Sequence, residues 1–492
     1  MKVEKKNFYI TTAIDYVNAK PHIGHALEKI QADVVARWRR TQGDQVRFLT
    51  GTDENALKNV QAAEDAGREV EEFVAENARS FQDLLKVLNI SADDFIRTSV
   101  ESRHIRGAQK LWLSCRPEDI YQKTYKGLYC LGCEEFKTEK DLINGECPEH
   151  PGRRLEEVKE KNYFFGLSGY QEKILNLIES RELEIIPEGR RNETLSFIKS
   201  GLEDFSISRS SERAKHWGVG VPGDPHQVMY VWFDALSNYI NALGYADNAE
   251  DFQSYWKQGE TLHVIGKGIN RFHAVYWPAM LLSAGIALPK KIFIHGYITV
   301  NGQKMSKTLG NVIDPVEIVK KYGTDPVRYY LLREIPSGED GDFSIKKFEE
   351  RYNGDLANGL GNLVARVTAL GEKVSPMPVQ KNEEIVEEIN RVRTLAEKYI
   401  ESFRLNEALG VIWELIGYGD RYINDTKPWT IKNDSAALQK IIADASMLID
   451  AIRELTGPFL PETAEKIKEQ IRIEENTIKI KRGNMLFPRL MN

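Results

Sequence analysis

Only four cysteines occur in 492 residues, and three of them, Cys130, Cys133 and Cys147, lie close together. A disulfide framework is excluded at that density, so a reduced, cytoplasmic setting is expected. No apolar run is long enough to cross a bilayer, and no membrane role is expected. The opening Met-Lys-Val-Glu-Lys-Lys carries charge where a secretory leader needs an apolar stretch. Net charge is only −6, which argues against a generic basic coat for nucleic acid; 67 Lys and Arg still leave room for a local basic groove. Internal repeats and low-complexity tracts are missing. With 41% hydrophobic residues the chain can bury several cores, and about three or four domains are expected.

What is there begins with a strand over Phe8–Thr12, a loop closed by Pro21, and a helix marked by Leu27, Ile30, Val34 and Trp38, with Gly43 as its terminator. A strand at Gln45–Thr50 runs into Gly51-Thr52-Asp53, helices follow around Leu57 and Phe81, and a third strand covers Phe95–Thr98. Strands alternating with helices predict an α/β, Rossmann-like doubly wound parallel sheet, in which ligands sit at the carboxyl ends of the strands. His22, His25 and Asp53 fall there. The pattern breaks near Pro117 and resumes near Gln227, with strands at Leu262–Gly266 and Ile292–His295 around the apolar helix Phe272–Leu282. A hairpin is predicted around Asn301-Gly302. From about Tyr352 the periodicity is helical almost throughout, as in a bundle, with Ile441, Met447 and Ile452 marking one late helix. The expected domains are 1–117 and 228–295 (two halves of the sheet), 118–227 (an insertion), 296–351 (a lysine-loop linker) and 352–492 (an all-α bundle).

Three stretches suggest chemistry. A strand that delivers His22, Gly24 and His25 to a helix start suits a polyphosphate, because free N–H groups and a partial positive charge meet the anion there. Lys304-Met305-Ser306-Lys307-Thr308, after the hairpin, can gather the spread charge of a triphosphate. Cys130-x-x-Cys133 and Cys147-x-x-His150 form a tetrahedral zinc pattern with every position filled by protein, so one structural Zn²⁺ per chain is expected. Cys115 stands outside it as a packed thiol. Gly218-Val219-Gly220-Val221-Pro222-Gly223 satisfies a dinucleotide-binding pattern but lacks a preceding buried strand, and Pro222 and Pro225 forbid a helix; it is read as a loop.

His22-Ile23-Gly24-His25 and Lys304-Met305-Ser306-Lys307-Thr308 resemble the paired signatures of class I aminoacyl-tRNA synthetases. The methionyl-tRNA synthetase family in particular is resembled over essentially the whole chain. The matching stretches are Tyr230–Ala235, Phe272-His273 with Tyr276–Leu281, Arg328–Leu332 and Leu486-Phe487-Pro488-Arg489. The resemblance implies ATP, with Mg²⁺, held by His22, Gly24, His25, Gly266, Lys304, Ser306 and Lys307, of which His22, His25, Lys304 and Lys307 would be catalytic. It implies an L-methionine pocket of Ala13, Ile14, Tyr16, Asp53, Trp232, Ala235, Leu236, Tyr239, Ile269 and His273. In the helical domain it implies that Asn362, Arg366 and Trp429 read the anticodon of tRNA(Met). A monomer is expected, since the chain stops after the bundle.

Departures from the family pattern are Asn55-Ala56, where His-Gly is usual, Gly268 in place of an Asp, and Thr308 in place of a Ser. The competing readings are a class I synthetase selecting another apolar amino acid, a non-catalytic tRNA-binding paralogue, and a nucleotidyltransferase, which would leave the helical domain unexplained.

Overall fold

The computed structural model describes residues 5–490 apart from 138, 149, 151, 153, 306–309, 432 and 433. The chain forms two compact units, one of Met1–Pro21, Arg39–Leu85 and Ser91–His295, the other of His22–Trp38, Lys86–Ile90 and Gly296–Asn492. These units group the expected segments differently: residues 22–38 join the second unit rather than the first half of the sheet.

In the first unit Phe8, Tyr9 and Ile10 are all buried, as an apolar run without alternation requires when helices cover both faces of a sheet. The strand they form, Asn7–Thr12, pairs in parallel with Gln45–Asp53 on one side and Glu260–Gly266 on the other. Beyond these lie Asp15–Tyr16 and Asp94–Arg97, both on Gln45–Asp53, and Lys291–His295, which pairs with Glu260–Gly266. Chain order reverses at the first strand, which opens a crevice at the carboxyl ends, where Ala13, Asp53 and Gly266 lie.

One sheet strand comes from within the stretch expected to be a separate insertion. Glu184–Ile186 pairs in parallel with Lys291–His295, and helices Gln171–Glu179 and Glu188–Lys199 flank it. Segment 118–227 is therefore not one module. Three residues, one of them Glu184, between Leu183 and Pro187 give too short a pattern to announce a strand. The antiparallel part of the segment pairs Ile120–Cys130 with Glu156–Phe165 and ends in the cysteine knuckle. The rejected glycine motif is a turn: Gly220–Val221 pairs antiparallel with Asp224–Met229.

In the second unit the helix Ile23–Thr41 buries Leu27, Ile30, Val34 and Trp38, the expected stripe. Its Asp33 meets Arg328 at 2.8 Å, with both side chains fully buried. Arg328 also donates to the carbonyls of Phe459 (2.8 Å), Pro458 (3.0 Å) and Leu88 (3.1 Å). Removing one partner of such a pair costs about 3–5 kcal/mol, because the other charge is left buried and uncompensated. The hairpin forms as predicted, with Thr299 opposite Lys304 and both Asn301 (φ +50°) and Gly302 (φ +77°) left-handed. Helices Asn362–Gly371, Glu383–Glu401, Leu405–Thr426, Ser435–Thr456 and Pro461–Gln470 make the bundle. Asn382 and Asp434 cap two of them, accepting from the amides of Ile385 and Ala437. The bundle is not purely helical: Met377–Pro378, Thr477–Ile480 and Ile471–Glu474 form a small antiparallel sheet.

Candidate active site

At the carboxyl end of the parallel sheet, within the first unit, the chain gathers an aromatic pocket. Ala13 and Ile14 continue from the first strand, and Tyr16 stands in register with Asp53 on the neighbouring strand. The short helix Val231–Leu236 is buried throughout and contributes Trp232, Ala235 and Leu236; Tyr239 follows it. Ile269 ends a tight turn, and His273 lies in a widened, π-type turn over Phe272–Tyr276. Trp232 stacks on Phe272 (centroids 3.8 Å apart, planes 4°) and meets Tyr16 edge-on at 6.3 Å. The carbonyl of Ile269 lies 3.0 Å from Nδ1 of His273 and can only accept, so the proton sits on Nδ1 and Nε2 accepts from the Tyr239 hydroxyl at 2.7 Å. Behind this wall His263 bonds Thr11 at 2.7 Å and lies 4.2 Å from the Tyr239 ring. Burial, then the neighbouring His273, holds its pKa well below the usual histidine range, so it is neutral. His263 and the stacking partner Phe272 escaped the sequence reading of this wall, since a His or Phe in an apolar run carries no signal of its own.

Asp53 is the carboxyl group of the pocket. Burial, then the nearby Asp234, pushes its carboxyl well above the usual range, with Lys58 opposing. Its Oδ1 has no hydrogen-bond partner among the described residues, and neither do the Tyr16 hydroxyl and Trp232 Nε1. Three such atoms at one pocket are costly unless a ligand meets them. Asp234 itself is satisfied by His104 Nε2 at 2.9 Å and by Asn55 Nδ2 at 3.0 Å. Asn55, the departure from the family pattern, thus serves to hold Asp234.

The histidine pair belongs to the second unit. His22 Nδ1 accepts from the Gly24 amide at 3.1 Å, and His25 Nδ1 accepts from the His22 amide at 3.0 Å. Both rings therefore carry their proton on Nε2. The rings lie 3.8 Å apart, and a Cβ on Gly24 would come within 2.9 Å of the His22 ring and 3.7 Å of the Met305 methyl. Ile23 N donates to Ile313 O at 3.0 Å, so the helix start is bonded to the segment that follows the lysine stretch. Lys304 closes the hairpin's second strand; Ser306 and Lys307 lie outside the described residues. Gly266 ends its strand in the first unit, and Gly268 sits in the following turn.

The ligand atoms of Cys130, Cys133, Cys147 and His150 all lie within 4.8 Å of one another. Cys133 Sγ is 3.4 Å from Cys147 Sγ and 3.3 Å from His150 Nδ1. Gly132 is needed here, because a Cβ would stand 2.5 Å from the His150 ring. Burial, with the neighbouring thiols, raises the Cys133 thiol, and a cation would reverse that. A three-thiol, one-imidazole set of this span fits a tetrahedral metal ion. Burial likewise pushes the isolated Cys115 thiol up to about 12, as suits an inert packed cysteine.

In the bundle Arg366 lies 5.2 Å over the ring of Trp429, which is 50% exposed, and is held by Asn424 Oδ1 at 2.7 Å and by Asp420. Asn362 is exposed one turn earlier on the same helix. An exposed indole beside a fixed guanidinium offers a flat face on which a planar ring can stack.

Residues 8–368 match the family described as "tRNA synthetases class I (M)", and residues 374–487 match the "Anticodon binding domain of methionyl tRNA ligase". The Methionine--tRNA ligase of Caldanaerobacter subterraneus subsp. tengcongensis is 43% identical over 512 residues, covering 99% of this chain and 79% of that relative. That of Thermotoga maritima is 44% identical over 486 residues (96% and 76%), and that of Brucella suis biovar 1 is 42% identical over 483 residues (96% and 93%). The structure of Mycobacterium tuberculosis methionyl-tRNA synthetase in complex with methionyl-adenylate matches with a TM-score of 0.93 at 38% identity, covering 98% of this chain and 100% of that one. The chain belongs to the methionyl-tRNA synthetase family of class I aminoacyl-tRNA synthetases.

Proposed function

We propose that the chain is a methionine–tRNA ligase: it activates L-methionine with ATP to methionyl-adenylate and transfers the methionyl group to the 3′ end of tRNA(Met). The observation that carries this reading is Asp53 Oδ1, a buried oxygen without a partner among the described residues, at the edge of an aromatic pocket. It suits the substrate ammonium. The thioether suits the walls of Trp232, Tyr239 and His273, since a polarizable sulfur gains from aromatic contact. Ala13, Ile14, Ala235, Leu236 and Ile269 supply the apolar remainder.

In the first step the methionine carboxylate attacks the α-phosphate of ATP and pyrophosphate leaves. Such chemistry needs positioning and charge stabilisation rather than a covalent nucleophile. His22 and His25, protonated on Nε2, are suited to donate to phosphate oxygens, and Gly24 keeps the helix start open to them. Lys304 and Lys307 draw off the charge of the departing pyrophosphate, with Ser306 and Gly266 as further nucleotide contacts and Mg²⁺ arriving as part of the ATP substrate. In the second step the terminal ribose hydroxyl of the tRNA attacks the adenylate carbonyl. Asn362, Arg366 and Trp429 select the tRNA by its anticodon. Cys130, Cys133, Cys147 and His150 hold one Zn²⁺ whose role is to fix the knuckle. We place the enzyme in the cytoplasm, as a monomer.

Pyrophosphate exchange assayed with each standard amino acid tests the reading. Methionine alone should drive exchange; another amino acid would mark altered specificity, and none would mark a non-catalytic paralogue.

A further inference from the structure

The cysteine knuckle carries a residue that no metal needs. Glu134 follows Cys133 directly, is 2% exposed, and holds φ +56°, a conformation that costs a non-glycine residue about 1–3 kcal/mol. Its position is fixed by three bonds. Oε1 accepts from the backbone N–H of Lys58 at 2.6 Å, Oε2 accepts from the Tyr129 hydroxyl at 2.5 Å, and its carbonyl accepts from the Tyr230 hydroxyl.

The bond to Lys58 is the informative one. The helix Leu57–Asp65 begins four residues after Asp53, and Ala56 at its start has no side chain to cap it. Glu134, from elsewhere in the sequence, supplies the missing acceptor, and a carboxylate is the group a helix start favours. The same helix orders both sides of the pocket's polar edge. Asn59 Nδ2 donates to the Asp53 carbonyl at 2.9 Å. The Lys58 ammonium lies 3.2 Å from the centre of the Tyr16 ring, and reaches the Gly132 carbonyl of the knuckle at 3.4 Å. Tyr16 and Asp53 are register partners in the sheet. Knuckle, helix start, Tyr16 and Asp53 are thus joined by direct contacts.

We propose that Glu134 is a positioning residue for amino-acid binding: by capping the Leu57–Asp65 helix it sets Lys58 over Tyr16 and holds Asp53 in place for the methionine ammonium. This rests on the reading of the pocket as a methionine site. The backbone at φ +56° directs the Glu134 side chain from the knuckle to that helix start.

The test uses the full chain, with three measurements on each variant: methionine affinity by calorimetry, KM for methionine and for ATP in pyrophosphate exchange, and zinc content. Glu134→Ala should weaken methionine binding about tenfold while KM for ATP stays within about twofold. Glu134→Gln, which keeps an acceptor for the Lys58 amide, should recover most of the affinity. Lys58→Met, which keeps the stem and removes the charge, should weaken methionine binding in the same direction, and the pair Glu134→Ala/Lys58→Met should cost less than the sum of its parts. Zinc should remain in every variant. Unchanged methionine affinity, an equal rise in the KM for ATP, loss of zinc, or additive single effects would each overturn the proposal. If Glu134→Ala does not fold, the Gln and Lys58 variants still decide it. A wild-type chain that binds no methionine would instead overturn the functional reading itself.

Discussion

Tyr16 and Asp53 stand opposite each other on neighbouring parallel strands, and each keeps a buried oxygen that no described residue satisfies. Burial, then Asp234, holds the Asp53 carboxyl above its ordinary range. An ammonium arriving beside it favours the carboxylate, so methionine binding should release a proton at pH above the ordinary carboxylate range. Calorimetric titrations in buffers of different ionisation enthalpy measure that release directly. It should vanish in Asp53→Asn, whose methionine affinity should fall by about a hundredfold or more, as expected when a charge-paired ammonium loses its partner. Proton uptake by the wild type would contradict the assignment.

The same carboxylate burdens the fold. A raised folded-state pKa means that Asp53 contributes most to stability below its unfolded pKa, and that this contribution is lost as pH rises through the folded value. Asp53→Asn should therefore unfold about 2 °C or more above the wild type at neutral pH, with the gap closing as pH falls below the ordinary carboxylate range. Thermal scans across pH read this. A variant less stable at neutral pH would mean that the Asp53 charge has a partner in the resting protein.

Purified protein should contain one zinc per chain, held by Cys130, Cys133, Cys147 and His150. Cys147→Ser should lose it, because a serine hydroxyl does not replace a thiolate at a structural site. Elemental analysis settles both points, and a wild type without metal would refute the assignment.

Lys307→Ala should slow adenylate formation by about a hundredfold to a thousandfold, the scale of losing a group aimed at developing charge. Methionine affinity should stay within about threefold, since the lysine is expected to meet phosphate and not the amino acid. Unchanged exchange kinetics would remove Lys307 from the reaction.

Trp429→Ala should lower tRNA charging by about tenfold or more, given stacking worth about 1–3 kcal/mol per base, while pyrophosphate exchange persists. The ratio of the two rates is the measurement. Equal losses in both would place Trp429 in the stability of the bundle.

The sheet was legible where strands are buried on both faces and long enough to show it, as at Phe8–Thr12 and Leu262–Gly266. Glu184–Ile186 was not, because three residues give no period. The late sheet at Ile471–Glu474 and Thr477–Ile480 does alternate, but its short runs directly follow the helix Pro461–Gln470 and read as its continuation. In the helix Ser435–Thr456 the buried stripe passes through Ile442, Leu448 and Ile449, so Ile441 and Met447, named from periodicity, stand beside it and are only partly buried. The metal ligands could be read directly, since their spacing is their geometry. The pocket residues could be named only through the family pattern: from periodicity, Trp232 and Tyr239 are core aromatics. What no pattern could show was the traffic of charge around Asp53, where Asp234, Asn55 and Lys58 meet from distant parts of the chain.

The buried pair of Asp33 and Arg328 holds the helix that carries His25 and follows His22, and the Phe459, Pro458 and Leu88 carbonyls that accept from Arg328 also lie in the second unit. The aromatic pocket draws all of its residues from the first. A laboratory lineage selected for a synthetic thioether would therefore change residues of one unit, around Trp232 and Tyr239, while the contacts that hold the histidines belong to the other. On the proposed reading, amino-acid choice falls to the first unit and the histidine share of phosphate handling to the second.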